Sequence, residues 1–335
     1  MYVNNNRTFY LVMARQLRPG IYAPTQVFFY PGTEDLDVGT TAKHAVRLAR
    51  AGVVGIVTNG SNGEAVYLSP GEREEVTRVT RQALDAAGFA ETSLIVGASD
   101  QSVRGTLQLC REAARAGGDA ALLMVPSFFK WAMDTPTIQH YFTKVADESP
   151  LPIVIYNYPS AVAGIDIDSD TLIRLAEHPN IIGTKFTCGN VGKLTRVVRA
   201  TTSVSELYPP KSVAARPYFS FAGIADFITV TAVAGGSGAI VGAANVFPRA
   251  CVRVYNLSVT GKLEEATELQ QKLAEADWSL TKRAIPGFKA ILDKYHGYGG
   301  SPREPMQKLS DEETRKLCEE IDWMMDIEKG LDDVQ

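Results

Sequence analysis

Eight short apolar runs alternate with amphipathic stretches along the chain, and this alternation constrains the fold more than any other feature of the sequence. The runs show little alternation of apolar and polar residues, which is typical of parallel strands buried on both faces. They cover residues 20–29, 53–58, 94–98, 120–125, 153–158, 181–186, 218–222 and 239–242. The sequence therefore predicts an α/β protein with eight parallel strands.

The stretches between these runs have the periodicity of crossover helices. They include residues 40–51, 69–87, 102–116, 136–148 and 169–178. One boundary is marked by Ser69-Pro70-Gly71-Glu72, which combines a serine cap, a proline at the first helical position and a glutamate three residues after the cap. Eight strand–helix units favour a (β/α)8 TIM barrel, because a doubly wound sheet more often has about five to seven strands.

The barrel is predicted to occupy residues 20–260, after an N-terminal extension over residues 1–19. Helical periodicity continues over residues 263–276, 282–295 and 310–325, so residues 261–335 are predicted to form a C-terminal helical region. The N-terminal 18 residues contain three arginines and no acidic residue, a weak similarity to a transit peptide, but Asn4-Asn5-Asn6 interrupts any amphipathic face. We therefore expect a cytoplasmic protein, with the mitochondrion as the alternative.

Charge and the spacing of cysteines and histidines exclude several classes of function. The 34 basic and 38 acidic residues are interspersed and give a net charge of −4, so no surface for nucleic acid is expected. The 4 cysteines have no CxxC spacing and the 4 histidines no HExxH spacing, which argues against a metal site or a disulfide framework.

Residues 227–248 carry no charge and are long enough to span a membrane, but Gly235-Gly236-Ser237-Gly238 divides them. We expect two short buried elements there and no membrane span. The glycines also lack the third glycine of GxGxxG and precede a strand, whereas a dinucleotide loop follows one. We interpret them as a helix C-cap and a turn, so a nicotinamide oxidoreductase is not favoured.

Three positions at the predicted carboxyl ends of strands carry groups suited to catalysis, and a barrel builds its active site there. Lys185 lies among apolar residues, where desolvation lowers the pKa of an amine and prepares it to form a Schiff base; a lysine that reaches solvent or pairs with a carboxylate is the alternative. Tyr156 ends the preceding strand and could move protons beside that amine, or could be a packing residue. Gly60-Ser61-Asn62-Gly63-Glu64 offers donors for a carboxylate, or only a tight turn.

Together, GSNGE after the second strand, YNYP at the end of the fifth and GTK at the end of the sixth resemble the dihydrodipicolinate synthase and N-acetylneuraminate lyase family of class I pyruvate aldolases. The resemblance extends over residues 20–305. It implies that Lys185 forms an imine with a 2-oxo acid, that Tyr156 relays protons, and that Ser61 and Asn62, which follow Gly60, hold the carboxylate of the pyruvyl group. Such a reaction requires no metal and no cofactor.

The same resemblance assigns further positions around the site. Gly223 corresponds to the family's position in the seventh strand, and a backbone site in the eighth strand corresponds to Ile240. Neighbouring subunits of this family commonly insert a tyrosine into each other's site, and that position is occupied here by Phe128, which cannot relay a proton. The resemblance also implies a homotetramer built as a dimer of dimers.

Departures from the family pattern narrow the expected reaction. Ser61-Asn62 stands where the synthases have two threonines, and it resembles the 4-hydroxy-2-oxoglutarate aldolases and the fungal 2-keto-3-deoxygalactonate aldolases. No arginine follows Ser160, where the synthases bind the carboxylate of their second substrate, and this favours a neutral, hydroxylated substrate tail. We therefore expect a lyase that cleaves a 2-keto-3-deoxy sugar acid, the L-threo-3-deoxy-hexulosonate of galacturonate breakdown, to pyruvate and glyceraldehyde. The alternatives are a 4-hydroxy-2-oxoglutarate aldolase, then a dihydrodipicolinate synthase or a barrel that binds 2-oxo acids without catalysis.

Overall fold

The computed structural model describes residues 15–202 and 217–333. Within these residues, eight strands form one closed barrel in which each strand pairs in parallel with the next, and β8 pairs with β1. The strands are β1 (Gly20–Pro24), β2 (Gly55–Thr58), β3 (Ser93–Gly97), β4 (Ala120–Leu123), β5 (Ile153–Asn157), β6 (Ile181–Phe186), β7 (Phe219–Ala222) and β8 (Gly238–Ile240). The predicted (β/α)8 TIM barrel is confirmed.

Helices follow the strands and surround the barrel. They are α1 (Val38–Arg50), α2 (Pro70–Ala86), α3 (Val103–Arg115), α4 (Thr135–Glu148), α5 (Ser169–Ala176), α6 (Val191–Thr202), α7 (Ile228–Val233), α8 (Pro248–Val259), α9 (Leu263–Thr281), α10 (Ala284–His296) and α11 (Asp311–Gly330). The capping box predicted at the start of α2 is present, because the Ser69 side chain accepts from the Glu72 N–H and the Glu72 carboxylate accepts from the Ser69 N–H.

The last three helices lie after the barrel, and α9 packs against both α8 and α11. Helices are therefore present where the sequence predicts them beyond residue 261. Residues 1–14 of the predicted N-terminal extension lie outside the described residues, and the division of the chain at residues 19 and 260 stays a prediction.

The first strand is shorter than the sequence predicts. β1 ends at Pro24, and the apolar residues Val27 and Phe28 that follow are buried in a loop. Phe28 packs with Leu292 of α10 and with Tyr298. The apolar run beyond Pro24 is therefore explained by contact with the C-terminal part of the chain, and not by a longer strand.

Residues 227–248 contain two short elements around a turn, as predicted, but only β8 is fully buried, since Val230 and Val233 of α7 are 46% and 61% exposed. α7 ends at Val233, Gly235 has a φ of +83° that suits a glycine after a helix, and β8 begins at Gly238. Within residues 15–202 and 217–333, no helix has the length and apolar character needed to cross a membrane.

Side chains that point inward fill the barrel with a core of its own, as in other TIM barrels. This inner core includes Tyr22, Val57, Ile95, Leu122, Val154, Tyr156, Phe219, Phe221 and Ile240. A second and larger core lies between the strands and the helices. Because the strands face apolar surroundings on both sides, most strand positions are hydrophobic.

Candidate active site

The register of the barrel places Lys185 between two aromatic residues. Tyr156 on β5 lies opposite Lys185 on β6, and Lys185 in turn lies opposite Phe221 on β7. Tyr156 and Phe221 both belong to the inner core of the barrel. Lys185, in register with both, therefore points into the barrel near the carboxyl end of its strand, where TIM barrels place reactive groups.

The amine of Lys185 is buried over an aromatic ring. The residue is 4% exposed, and its Nζ lies 4.2 Å from the centre of the Tyr156 ring. No carboxylate within residues 15–202 and 217–333 forms an ion pair with it, so it is neither a surface lysine nor a partner in a salt bridge there. Burial lowers the pKa of Lys185 to about 7, because an ammonium loses its hydration in such a site. A large share of this lysine is therefore the nucleophilic amine at neutral pH.

The phenol of Tyr156 lies near Ser61, which follows β2, and near Thr187, which follows β6. Burial raises the pKa of Tyr156, and the hydroxyls of Ser61 and Thr187 act in the opposite direction to a smaller extent. The phenol therefore holds its proton at neutral pH and can donate it. The ring of Tyr158 stacks on the Tyr156 ring with 5.5 Å between centroids, which fixes the orientation of Tyr156.

The loop after β2 is a tight turn that also presents polar side chains. The Gly60 carbonyl accepts from the N–H three residues later, and the Ser61 carbonyl accepts from the Glu64 N–H, both at 3.1 Å. Ser61 and Asn62 are half-buried. The Asn62 Nδ2 lies 2.8 Å from the place that a Cβ would occupy at Gly242, just after β8. The loop is therefore a tight turn and also leaves the Ser61 and Asn62 side chains available as hydrogen-bond donors.

Gly223 and Ile240 lie at the carboxyl ends of β7 and β8. A Cβ at Gly223 would lie 2.0 Å from the Thr187 Oγ1 and 2.6 Å from the Thr187 Cα, so only glycine lets the two segments pass each other. Ile240 is fully buried in the inner core and lies opposite Tyr22 of β1. Its side chain is therefore a packing group at the end of β8.

Comparison with protein families adds to this geometry. The sequence model of the dihydrodipicolinate synthetase family matches residues 32–323 of the chain. The chain belongs to this family. The membership predicted from the GSNGE, YNYP and GTK motifs is thus confirmed.

Individual relatives within the family cover nearly the whole chain. The L-threo-3-deoxy-hexylosonate aldolase of Aspergillus niger is 52% identical over 95% of this chain and 98% of its own length. A protein of Emericella nidulans named "Probable 4-hydroxy-2-oxoglutarate aldolase, mitochondrial" is 44% identical over 95% of this chain and 98% of its own. Among solved structures, a dihydrodipicolinate synthase family protein of Coccidioides immitis superposes with a TM-score of 0.82 at 31% identity, covering 95% of this chain and 99% of that one.

Phe128 lies on the surface of this chain, in the loop after β4. Its side chain is 79% exposed and contacts Phe129 edge to face at 5.0 Å between centroids, and Phe129 contacts Trp131 at 6.1 Å. The N–H of Phe128 donates to the Gln101 Oε1 at 2.9 Å, which holds the loop after β4. A role for Phe128 at a subunit contact stays a prediction.

Sequence reasoning missed the residues that hold the GSNGE loop in place. Glu64 has a left-handed backbone with φ of 48°, and its carboxylate pairs with Lys289 of α10 at 2.6 Å, where both side chains are 0% exposed. Its second carboxylate oxygen accepts from the Arg303 N–H at 2.8 Å. Glu64 belongs to a motif that the sequence singles out, but nothing near Lys289 indicates this partner.

Thr187 was also missed, and in this case the sequence does carry a signal. It follows Lys185 by two residues, and side chains two positions apart along a strand face the same side. The fold places it against the Tyr156 phenol and Gly223.

The site brings together groups that suit the chemistry of an amine. Within the described ranges 15–202 and 217–333, no group of three or more His, Cys, Asp or Glu side chains is placed to hold a metal ion. The groups that do converge are one buried amine, one phenol, two hydroxyls and one amide. These can bind a carboxylate, form an imine and move protons.

Proposed function

We propose that the protein is a class I aldolase that cleaves a 2-keto-3-deoxy sugar acid, L-threo-3-deoxy-hexulosonate, to pyruvate and glyceraldehyde. The observation that carries the proposal is the buried amine of Lys185, which lies beside Tyr156 with a pKa of about 7. The choice of substrate is supported by the name of the Aspergillus niger relative, which is 52% identical to this chain. This substrate would place the enzyme in the breakdown of galacturonate.

The reaction begins with the attack of the Lys185 Nζ on the C2 carbonyl carbon of the substrate. One proton moves from the Lys185 Nζ to the resulting C2 oxygen and the Tyr156 phenol donates a second, so the oxygen leaves as water and a protonated imine is formed. The Tyr156 phenolate then accepts the proton of the C4 hydroxyl. The C3–C4 bond breaks, its electron pair moves into the imine as an enamine, and the aldehyde departs.

The second half of the reaction regenerates the free amine. The enamine takes up at C3 the proton that Tyr156 accepted from the C4 hydroxyl, and water adds to C2 of the resulting imine and gives one proton to the Tyr156 phenolate. Its other proton moves to Nζ as the C2–Nζ bond breaks and pyruvate leaves. Ser61 and Asn62 hold the carboxylate through both halves, so that the imine keeps one orientation relative to Tyr156. Holding the substrate in this way favours cleavage, because the reacting groups are already aligned.

Reduction of the imine tests the first step directly. The protein is incubated with pyruvate and borohydride, and its intact mass and its peptides are measured. We expect one pyruvyl group per chain, attached at Lys185. Lys185→Ala should lose the adduct, whereas Lys144→Ala, which removes an exposed lysine of α4, should keep it. A folded protein without an adduct would favour a barrel that binds 2-oxo acids without catalysis.

A 4-hydroxy-2-oxoglutarate aldolase is the second candidate, and the Emericella nidulans relative supports it. The two substrates differ in the group beyond C4, since the glyoxylate half carries a carboxylate and the sugar half carries hydroxyls. Measurement of kcat/KM for both substrates separates the two. A higher kcat/KM for L-threo-3-deoxy-hexulosonate supports our choice, and activity confined to 4-hydroxy-2-oxoglutarate would overturn it.

We further propose that the enzyme is a homotetramer in the cytoplasm. The exposed cluster of Phe128, Phe129 and Trp131 supports an interface beside the barrel mouth, since large exposed apolar patches mark protein contacts. Sedimentation equilibrium should give four chains, and Phe128→Ser with Trp131→Ser should give a smaller assembly. A monomeric wild type would contradict the proposal. The mitochondrial name of one relative makes fractionation of cells the test of compartment.

A further inference from the structure

A groove on the outside of the barrel collects cationic side chains. It lies between α1, α8 and the residues around the end of α10, and it has a volume of about 610 Å³. Its walls carry Lys43, Arg47 and Arg50 from α1 and Arg249 from α8, and Asp333 is the carboxylate among the lining residues. A concentration of positive charge is unexpected in a chain with a net charge of −4, and it attracts anions.

Two of these cations have no carboxylate partner within the ranges 15–202 and 217–333. The Lys43 Nζ lies over the ring of Tyr298 at 4.9 Å from its centre. Arg50 is exposed in the last turn of α1. Because neither charge is neutralised by an ion pair there, both can be offered to a ligand.

Arg47 is fixed in the wall of the groove by uncharged partners. Its Nε donates to the Tyr298 hydroxyl at 2.8 Å, and its Nη2 donates to the Asn245 carbonyl. The Tyr298 hydroxyl also forms a hydrogen bond with the Nδ1 of His44, which is fully buried. These contacts orient the guanidinium without cancelling its charge. A cation that is already ordered loses little entropy when a ligand binds.

The groove also contains a polar atom that lacks a partner. The Nε2 of His296 is buried and has no hydrogen-bond partner among the described residues. Burial, followed by the nearby charges of Arg47, Arg249, Lys43 and Lys329, lowers the pKa of His296 to about 4, so the ring is neutral at pH 7. A buried nitrogen of this kind is normally satisfied by water or by a ligand.

The chain itself shows that the groove accepts an anion. The Asp333 carboxylate lies 2.7 Å from the Arg249 Nη2 and accepts from its Nε at 2.8 Å, so one guanidinium contacts the carboxylate through two nitrogens. Sites for small molecules commonly measure about 300–1,000 Å³. One carboxylate therefore occupies only a part of this groove.

We propose that the groove is a second binding site, which takes a small molecule bearing phosphate. A phosphate group carries more charge than a carboxylate and presents several acceptor oxygens, which match converging guanidinium and ammonium donors. A single carboxylate would leave Lys43 and Arg50 uncompensated. The site lies outside the barrel and shares no residue with the site around Lys185.

Calorimetric titration with inorganic pyrophosphate tests this proposal on the full chain, at neutral pH and constant ionic strength. We expect one binding event per chain. The double variant Lys43→Gln/Arg50→Gln should bind at least about tenfold more weakly, because charge-assisted hydrogen bonds are lost. Asp333→Asn should bind several-fold more tightly, because it removes one of the two carboxylates that contact Arg249 and leaves only Glu328, whose Oε1 lies 3.7 Å from the Arg249 Nη1.

The matched control removes the same charge outside the groove. Arg253→Gln/Lys262→Gln changes two cations that lie near Glu265 and do not line the groove. Its Kd should equal that of the wild type. An equal loss in both double variants would show a general attraction to net charge and overturn the proposal. Absence of pyrophosphate binding to the wild type, or its loss in Lys185→Ala, would also overturn it.

Discussion

Replacement of Lys289 by methionine tests the buried ion pair behind the GSNGE loop. Lys289→Met keeps an unbranched side chain and removes the charge. The Lys289 Nζ lies 2.6 Å from the Glu64 Oε1 and donates to the Ser301 carbonyl at 2.9 Å, and the side chains of the ion pair are 0% exposed. In the variant, the Arg303 N–H is the one hydrogen-bond donor left to the Glu64 carboxylate among the described residues.

The expected loss of stability follows from this burial. Removing one partner of a buried ion pair lowers the free energy of unfolding by about 3–5 kcal/mol, because the other charge stays buried without compensation. An exposed pair contributes only about 0.2–1 kcal/mol, since water solvates both groups. Burial also lowers the pKa of Lys289 in spite of the adjacent Glu64, so desolvation outweighs the attraction within the pair. Neutralising both partners should therefore cost much less than neutralising one.

Urea denaturation, followed by circular dichroism at a fixed protein concentration and neutral pH, measures these differences. The matched control is Lys272→Met, since the Lys272 Nζ lies 2.7 Å from the Glu268 Oε1 on an exposed face of α9. We expect a loss of at most about 1 kcal/mol for this control. Glu64→Gln/Lys289→Met should regain most of the stability lost in the single variant, because glutamine can still accept from Arg303.

Two results would refute the reasoning. A loss in Lys289→Met no larger than that in Lys272→Met would mean that water reaches the pair. A double variant as unstable as Lys289→Met would mean that lost packing, and not the unpaired Glu64 carboxylate, causes the effect.

Three further predictions concern the proposed active site. The profile of kcat/KM against pH should rise through about pH 7 as Lys185 loses its proton, and a profile without change between about pH 6 and about pH 9 would contradict this. Tyr156→Phe should lower kcat by about 10²–10⁴-fold in steady-state assays and should also slow formation of the borohydride adduct of Lys185; unchanged turnover would remove Tyr156 from the proton relay. Gly223→Ala should lower the free energy of unfolding, measured by urea denaturation, by about 1–3 kcal/mol, because its Cβ would lie 2.0 Å from the Thr187 Oγ1. Stability equal to that of the wild type would show that Thr187 moves aside without cost.

Local patterns in the sequence are sufficient to predict the strands, the starts of several helices and the candidate nucleophile. A strand buried on both faces needs an apolar residue at nearly every position, so Lys185 stands out within β6. The capping box of Ser69 and Glu72 involves residues within one turn of helix, and it is therefore visible in four consecutive letters. The three motifs that indicate the family are short segments at strand ends, where catalytic groups of a barrel are expected.

The same local patterns misplace the end of the first strand. Val27 and Phe28 have the hydrophobicity of strand residues, but β1 ends at Pro24. These residues are buried by other parts of the chain, including Leu292 of α10. Hydrophobicity reports that a residue is buried and not which element buries it.

The sequence by itself determined a parallel barrel with a lysine, a tyrosine and a polar loop at neighbouring strand ends, because strand burial and helix capping depend on residues close together in the chain. Only the tertiary structure decided that Tyr156 lies in register with Lys185, that Glu64 pairs with Lys289, and that cations from α1 and α8 line one groove. It also decided the depth of burial that lowers the pKa of Lys185 to about 7. Distances and desolvation depend on segments far apart in the chain, and hydrophobic periodicity carries no record of which segments meet.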